Sequence, residues 1–135
     1  MFNVMERFSK DYEQFHGCRV FVNSIPGYFL NESDSEEFAK RYSKYVKDVV
    51  FEITEHDTVS DDELQTLKYL GGNESGNVIA VDDYGTGHSN IVNLLRYSPQ
   101  VIKIDRFLIT DIQNDVNKQM FVRSTIELAR LNGIK

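Results

Sequence analysis

At 135 residues, with 41% hydrophobic and 12% aromatic side chains, the chain is long enough and apolar enough to bury a real core, which excludes a disordered or fibrous polypeptide. Its 21 acidic against 15 basic residues give a net charge of −6 and no broad cationic surface to neutralise a phosphate backbone, so no polymeric nucleic acid is expected as a partner. A single cysteine, Cys18, allows no disulfide within the chain; beside the apolar run Val20 to Val22 it reads as a small buried hydrophobe.

Charges at Glu6, Arg7 and Lys10 interrupt any signal-peptide core near the N-terminus. No apolar run reaches the roughly 18 residues of a spanning helix, so a cytoplasmic protein without direct membrane insertion is expected. Phe2, Met5, Phe8, Tyr12 and Phe15 recur at three- and four-residue steps and predict one helix that stops before Gly17. "CRVFVN" follows as a strand. Asp34 with Glu37 offers a capping box for a second helix, whose Phe38, Tyr42 and Tyr45 face one way ahead of the strand "VVFEITE". Ser60 with Glu63 repeats that signal before Leu64, Leu67 and Leu70, and Gly71-Gly72 closes the third helix as a left-handed cap. "NVIAVDD" is the third strand. Ile91, Leu94 and Leu95 form a short apolar helix face that ends by Pro99, "VIKID" is the fourth strand, and a last helix carries Met120, Phe121, Ile126, Leu128 and Leu131 toward Gly133.

Near-continuous Val and Ile runs separated by helices imply parallel strands under helical crossovers, an α/β fold in the order αβαβαβαβα, with residues 1–135 as one domain. Alternation along each strand places Asn23 on the face of Phe21, Glu52 with Val50, Asp82 with Ala80 and Lys103 with Val101. Each strand thus carries one polar residue near its C-terminal end, where parallel α/β folds bind ligands. One amide, two carboxylates and an ammonium would converge there, flanked by Asp83 and Glu55. Oxygen donors of this kind suit Mg²⁺ or Mn²⁺. His16, His56 and His88 lack the spacing of paired ligands. Asp82-Asp83 can bridge two ions if the backbone turns sharply at Gly85 and Gly87; taken alone, the pair reads better as a solvated acidic turn capping a helix near Ser89, and it is the combination with the other strand ends that favours the metals.

Together "VNSIP", "FEITE", "VDDYGTGHSN" and "IKIDRFLITDI" resemble the EAL domain family, bacterial phosphodiesterases that hydrolyse cyclic di-GMP. The resemblance runs through nearly the whole chain and is most specific at the Asp-Asp-aromatic-Gly-Thr-Gly element and the later Lys-Ile-Asp. It implies a modified (β/α)₈ barrel, a fold of about 250 residues, of which this chain supplies roughly the middle half. By the resemblance Asn23, Glu52 and Asp82 fall on metal-ligand positions and Asp83 on a ligand of the second metal. Lys103 falls on the lysine that contacts the attacking water, and Glu55 on the glutamate that steadies the loop after the paired aspartates. The implied activity is two-metal, in-line hydrolysis of cyclic di-GMP to linear pGpG.

The sequence departs from the family pattern at Ser24-Ile25, where Leu-Ser is usual, at Tyr84, where phenylalanine is usual, and at His88. The Glu-Ala-Leu triplet that names the family does not occur in these residues and is expected upstream; a strand bearing the second-metal glutamate is expected beyond Lys135. The leading expectation is therefore a phosphodiesterase segment, inactive by itself. The alternative is a catalytically inactive EAL-derived module that serves as a cyclic di-GMP receptor or interaction domain. An apolar inner face of Phe21, Val50, Ala80 and Val101, with open strand edges, predicts self-association through the open barrel face or the edges.

Overall fold

The computed structural model of the chain describes residues 1–15, 17–24, 30–70, 78–87 and 91–135. The expected cap at Gly71-Gly72, two of the three histidines (His16 and His88) and the helix start near Ser89 lie outside them. Four parallel strands alternate with helices, as the Val and Ile runs predict, and the chain divides into two compact units. The first comprises Met1–Glu52 and Thr58–Val78, the second Ile53–Asp57 and Ile79–Lys135.

In the first unit, helix α1 (Phe2–Lys10) and helix α2 (Glu32–Tyr42) pack through aromatic side chains: Phe2 and Phe38 meet edge to face at 5.4 Å, and Met5 and Phe38 are fully buried. The first helix is shorter than its periodicity predicts, because Tyr12–Phe15 winds as a 3-10 turn. Tyr12 there donates to an Asp48 carboxylate oxygen at 2.6 Å and stacks edge-on against Tyr45, contacts that a continued α-helix would have to satisfy in another phase. The bond to Asp48 pushes the Tyr12 phenol pKa up, since the carboxylate holds its proton. Helix α2 begins ahead of the predicted box: Asn31 is its cap, with its side-chain oxygen accepting from the Asp34 N–H at 2.8 Å, while the Asp34 carboxylate accepts from the Asn31 amide.

The other capping box forms as predicted. Before helix α3 (Asp61–Leu70) the Ser60 N–H donates to Glu63 Oε2 at 2.7 Å and the Glu63 N–H to Ser60 Oγ at 3.2 Å, and Leu64, Leu67 and Leu70 are buried. Strands β1 (Val20–Asn23) and β2 (Val49–Thr54) pair in parallel from Val20 opposite Val49 to Asn23 opposite Glu52. Cys18 is exposed, not buried, because it precedes β1 and never enters the sheet.

The second unit holds the end of β2 and strand β3 (Val78–Tyr84) from Ile79 onward. Helix α4 (Ile91–Tyr97), strand β4 (Val101–Ile104), helix α5 (Arg106–Ile109) and helix α6 (Val116–Leu131) follow. Helix α4 buries Leu94 and Tyr97 and leaves Ile91 and Leu95 exposed, and Met120, Ile126 and Leu131 of α6 are exposed as well, contrary to the core face expected of them. Asp115 caps α6 by accepting from the Asn117 and Lys118 N–H groups. The backbone of Lys135 lies along β4, donating to the Gln100 carbonyl and accepting from the Ile102 N–H, so this edge is not open as expected. Of the expected inner face, Val50 and Ala80 are fully buried and Phe21 is exposed. No helix among the described residues is long and apolar enough to cross a membrane.

Candidate functional site

In the first unit the structure brings Asn23 and Glu52 side by side as register partners at the carboxyl ends of β1 and β2. Glu52 is buried and Asn23 exposed. Both the N–H and the hydroxyl of Ser24 donate to the Glu52 carbonyl, at 2.9 and 2.6 Å, which secures the strand ends immediately after the two residues. A serine is useful there because one small side chain doubles the hydrogen bonding of the strand terminus.

In the second unit the decisive feature is a β-bulge. Val81 pairs with Ile102 and Tyr84 with Ile104, so Asp82 and Asp83 together stand opposite the single residue Lys103. A bulge of this kind breaks the two-residue alternation and re-aims side chains. Asp83 takes the left-handed conformation, φ 54°, and its N–H donates to Asp82 Oδ1 at 2.9 Å. Lys103 Nζ donates to Asp82 Oδ2 at 2.6 Å. The side chains of the pair are 42% and 22% exposed, so the contact orients the carboxylate more than it stabilises the fold.

Glu55 and His56, just beyond β2, grip the turn that follows. The Glu55 N–H donates to the Asp82 carbonyl at 3.1 Å, and Glu55 Oε2 accepts from the Gly85 N–H at 2.5 Å. Gly85 has φ +104°, which demands glycine, and Leu108 and Phe121 press against the position its Cβ would take. Gly87 is glycine for a different reason: the His56 ring occupies the place of a Cβ, and His56 Nε2 lies 3.3 Å from Thr86 Oγ1. His56 carries no ligand spacing in the sequence; its sequence signal is its place after Glu55 and the Gly-Thr-Gly run at residues 85–87 that its ring meets. Tyr84 is buried at the root of the turn, and its phenol pKa is pushed up by burial and then by the Glu55 charge.

Asp82, Asp83, Lys103 and Glu55 are thus brought together in one unit, and Asn23 and Glu52 in the other. Among the described residues no group of three or more His, Cys, Asp and Glu side chains is close enough to hold a metal ion. The donors nonetheless fit a hard divalent cation in chemistry. They are oxygens only, and each Asp82 oxygen has one donor on it, from Lys103 or from the Asp83 N–H, where a carboxylate oxygen can accept two.

Comparison with known proteins identifies the family. The chain is 31% identical over 121 residues to the probable cyclic di-GMP phosphodiesterase PdeA of Escherichia coli, covering 87% of this chain and 17% of PdeA. It is 26% identical over 114 residues to the blue light- and temperature-regulated antirepressor BluF of the same organism, covering 80% of this chain and 28% of BluF. Among solved structures, the manganese and cyclic di-GMP complex of Klebsiella pneumoniae BlrP1 at pH 6 superposes with a TM-score of 0.81 at 26% identity, covering 97% of this chain and 35% of that one. The chain therefore spans less than a third of the length of these two relatives. The EAL domain matches residues 2–135. A parallel α/β chain with an Asp-Asp bulge facing a lysine, matched from end to end by that domain, belongs to the EAL domain family.

Proposed function

We propose that the chain is a segment of a cyclic di-GMP phosphodiesterase of the bacterial cytoplasm, in which Asn23, Glu52 and Asp82 hold one Mg²⁺ or Mn²⁺ and Asp83 a second. The observation that carries this reading is the bulge that sets both aspartates opposite Lys103, with Lys103 Nζ 2.6 Å from Asp82. A two-metal phosphodiester hydrolase needs an anionic pocket for its cations beside a group that orients the water, and the paired aspartates opposite Lys103 support that reading. When bound, two such ions lower the pKa of a water and polarise a phosphoryl oxygen. Lys103, aligned by its bond to Asp82, holds the attacking water and can donate a proton from Nζ. Water oxygen bonds to phosphorus as the bond to the ribose 3′ oxygen breaks, and a proton reaches that leaving oxygen to give linear pGpG. Glu55 holds the Gly85 N–H and so keeps Asp83 in its left-handed conformation.

Assayed as the 135-residue polypeptide, the protein is expected to show little or no turnover, because both ions must be positioned and the family's second-metal glutamate is not among these residues. Chromatography for pGpG in Mg²⁺ or Mn²⁺ measures this. Robust turnover would mean that another residue replaces the absent ligand or that two chains complete one site. The likeness to an antirepressor, BluF, supports a second reading, an inactive module that binds cyclic di-GMP or a protein. Calorimetry with cyclic di-GMP separates the two: binding that survives removal of divalent metal by EDTA favours the receptor, and binding that depends on metal favours the phosphodiesterase.

Self-association belongs to the same proposal. Exposed Phe21 together with Phe107, Val116, Met120 and Leu131 leaves large apolar side chains in water, which a second copy would cover. Light scattering across a dilution series is expected to show a dimer at micromolar concentration; a stable monomer would overturn this part.

A further inference from the structure

Glu55 is the residue on which the turn depends, and half of its carboxylate is unaccounted for. Oε2 accepts from Gly85, whereas Oε1 is buried without a hydrogen-bond partner among the described residues. A buried carboxylate oxygen left unsatisfied carries a desolvation cost that native proteins rarely leave standing. Beside it lies a cavity of about 10 Å³, room for the centre of one water, lined by Glu55, Val81, Tyr84, Asn93, Leu94 and Tyr97. The Val81 and Leu94 side chains are apolar. The Tyr97 hydroxyl donates its proton to the Asp57 carbonyl at 2.9 Å, so it has none for Glu55. The remaining side-chain donors are the Tyr84 hydroxyl and the Asn93 amide, and of these only the amide comes from α4, with two donors and an acceptor.

We infer that this cavity holds one buried water, which donates to Glu55 Oε1 and is itself held by the Asn93 side chain, making Asn93 a positioning residue for the Gly85 turn. A water suits the site because it needs about three partners and the lining offers a carboxylate oxygen, an amide and a phenol oxygen. The link runs from α4 through the water to Glu55, and from Glu55 to the Gly85 N–H that follows the paired aspartates. Asn93 therefore acts on Asp83 without touching it. Its importance for catalysis rests on the function proposed above; the water and the link to Gly85 do not.

The test is hydrogen exchange of the Gly85 amide in the 135-residue chain, followed by NMR without metal or nucleotide. Asn93→Leu keeps the size of the side chain and removes the amide; it is expected to speed Gly85 exchange about tenfold, the loss of one hydrogen-bond link. The Val22 and Phe51 amides in the first unit should not change. Asn93→Ser, which retains a polar group and leaves room for water, is expected to stay within about threefold of wild type, and it keeps the test decisive if the leucine variant folds poorly. An unchanged Gly85 rate in Asn93→Leu would overturn the proposal. So would a uniform rise at all three amides in both variants, or a high-resolution crystal structure in which Asn93 Nδ2 bonds Glu55 Oε1 directly with no water. Failure of the phosphodiesterase reading would leave these rates untouched.

Discussion

Gly85→Ala is expected to destabilise the protein by about 2–6 kcal/mol, from two costs that add at one atom. A left-handed backbone such as φ +104° strains any L side chain by about 1–3 kcal/mol. The new Cβ would also meet Leu108 Cδ1 and lie 2.9 Å from Phe121 Cε1, an overpacking that costs about 1–3 kcal/mol more because Leu108 is itself buried. Gly17→Ala is the internal control: Gly17 has φ +80° but nothing within 4 Å of its Cβ position, so only the strain remains. Urea denaturation of the two variants separates the contributions. If Gly85→Ala costs no more than Gly17→Ala, the packing of α5 and α6 on the turn is not what the structure shows.

Asp82→Asn is expected to weaken Mn²⁺ binding by at least about 100-fold, more than is typical for loss of a group that only supports a ligand. Stability should fall by only about 0.5–1.5 kcal/mol, because the amide keeps one acceptor oxygen for two donors, Lys103 Nζ and the Asp83 N–H, and the Lys103 contact is partly exposed. Lys103→Met should move metal affinity the other way. It removes a cation 2.6 Å from Asp82 that opposes a second positive charge, so Mn²⁺ should bind more tightly while the fold is unaffected. Calorimetry reads both signs. Equal Mn²⁺ binding by wild type and Asp82→Asn would show that the site assignment is wrong, and weaker binding by Lys103→Met would show that the lysine holds the carboxylates in place more than it competes with the ion.

Some of this was legible in the residues themselves because its causes are local. The Ser60 and Glu63 box forms as read, since a cap needs only side chains three residues apart. Strand positions follow from Val and Ile runs, and polar residues near the strand ends follow from the chemistry of Asn23, Glu52, Asp82 and Lys103. Even local signals compete, however. Asn31 captures the Asp34 N–H and starts α2 before the predicted cap, and Tyr12 leaves its helix for Asp48, distant in sequence.

What the tertiary structure alone decided concerns register and neighbours. Alternation puts Asp82 and Tyr84 on one face, but register belongs to two strands at once, and the bulge against β4 gives Lys103 two aspartates and sends Tyr84 into the interior. Whether Phe21 is exposed while Val50 and Ala80 are buried depends on what lies over each, as does the exposure of Met120, Ile126 and Leu131 on a helix of ordinary apolar spacing. Gly85 and Gly87 look alike in "YGTG", yet one is glycine for its backbone angle and the packing of Leu108, the other for a histidine ring from another strand end. Composition and period are properties of a segment and can be read from it; a bulge, an edge covered by Lys135 and a ring seated on a glycine are properties of pairs far apart in the chain, and they exist only once the chain has folded.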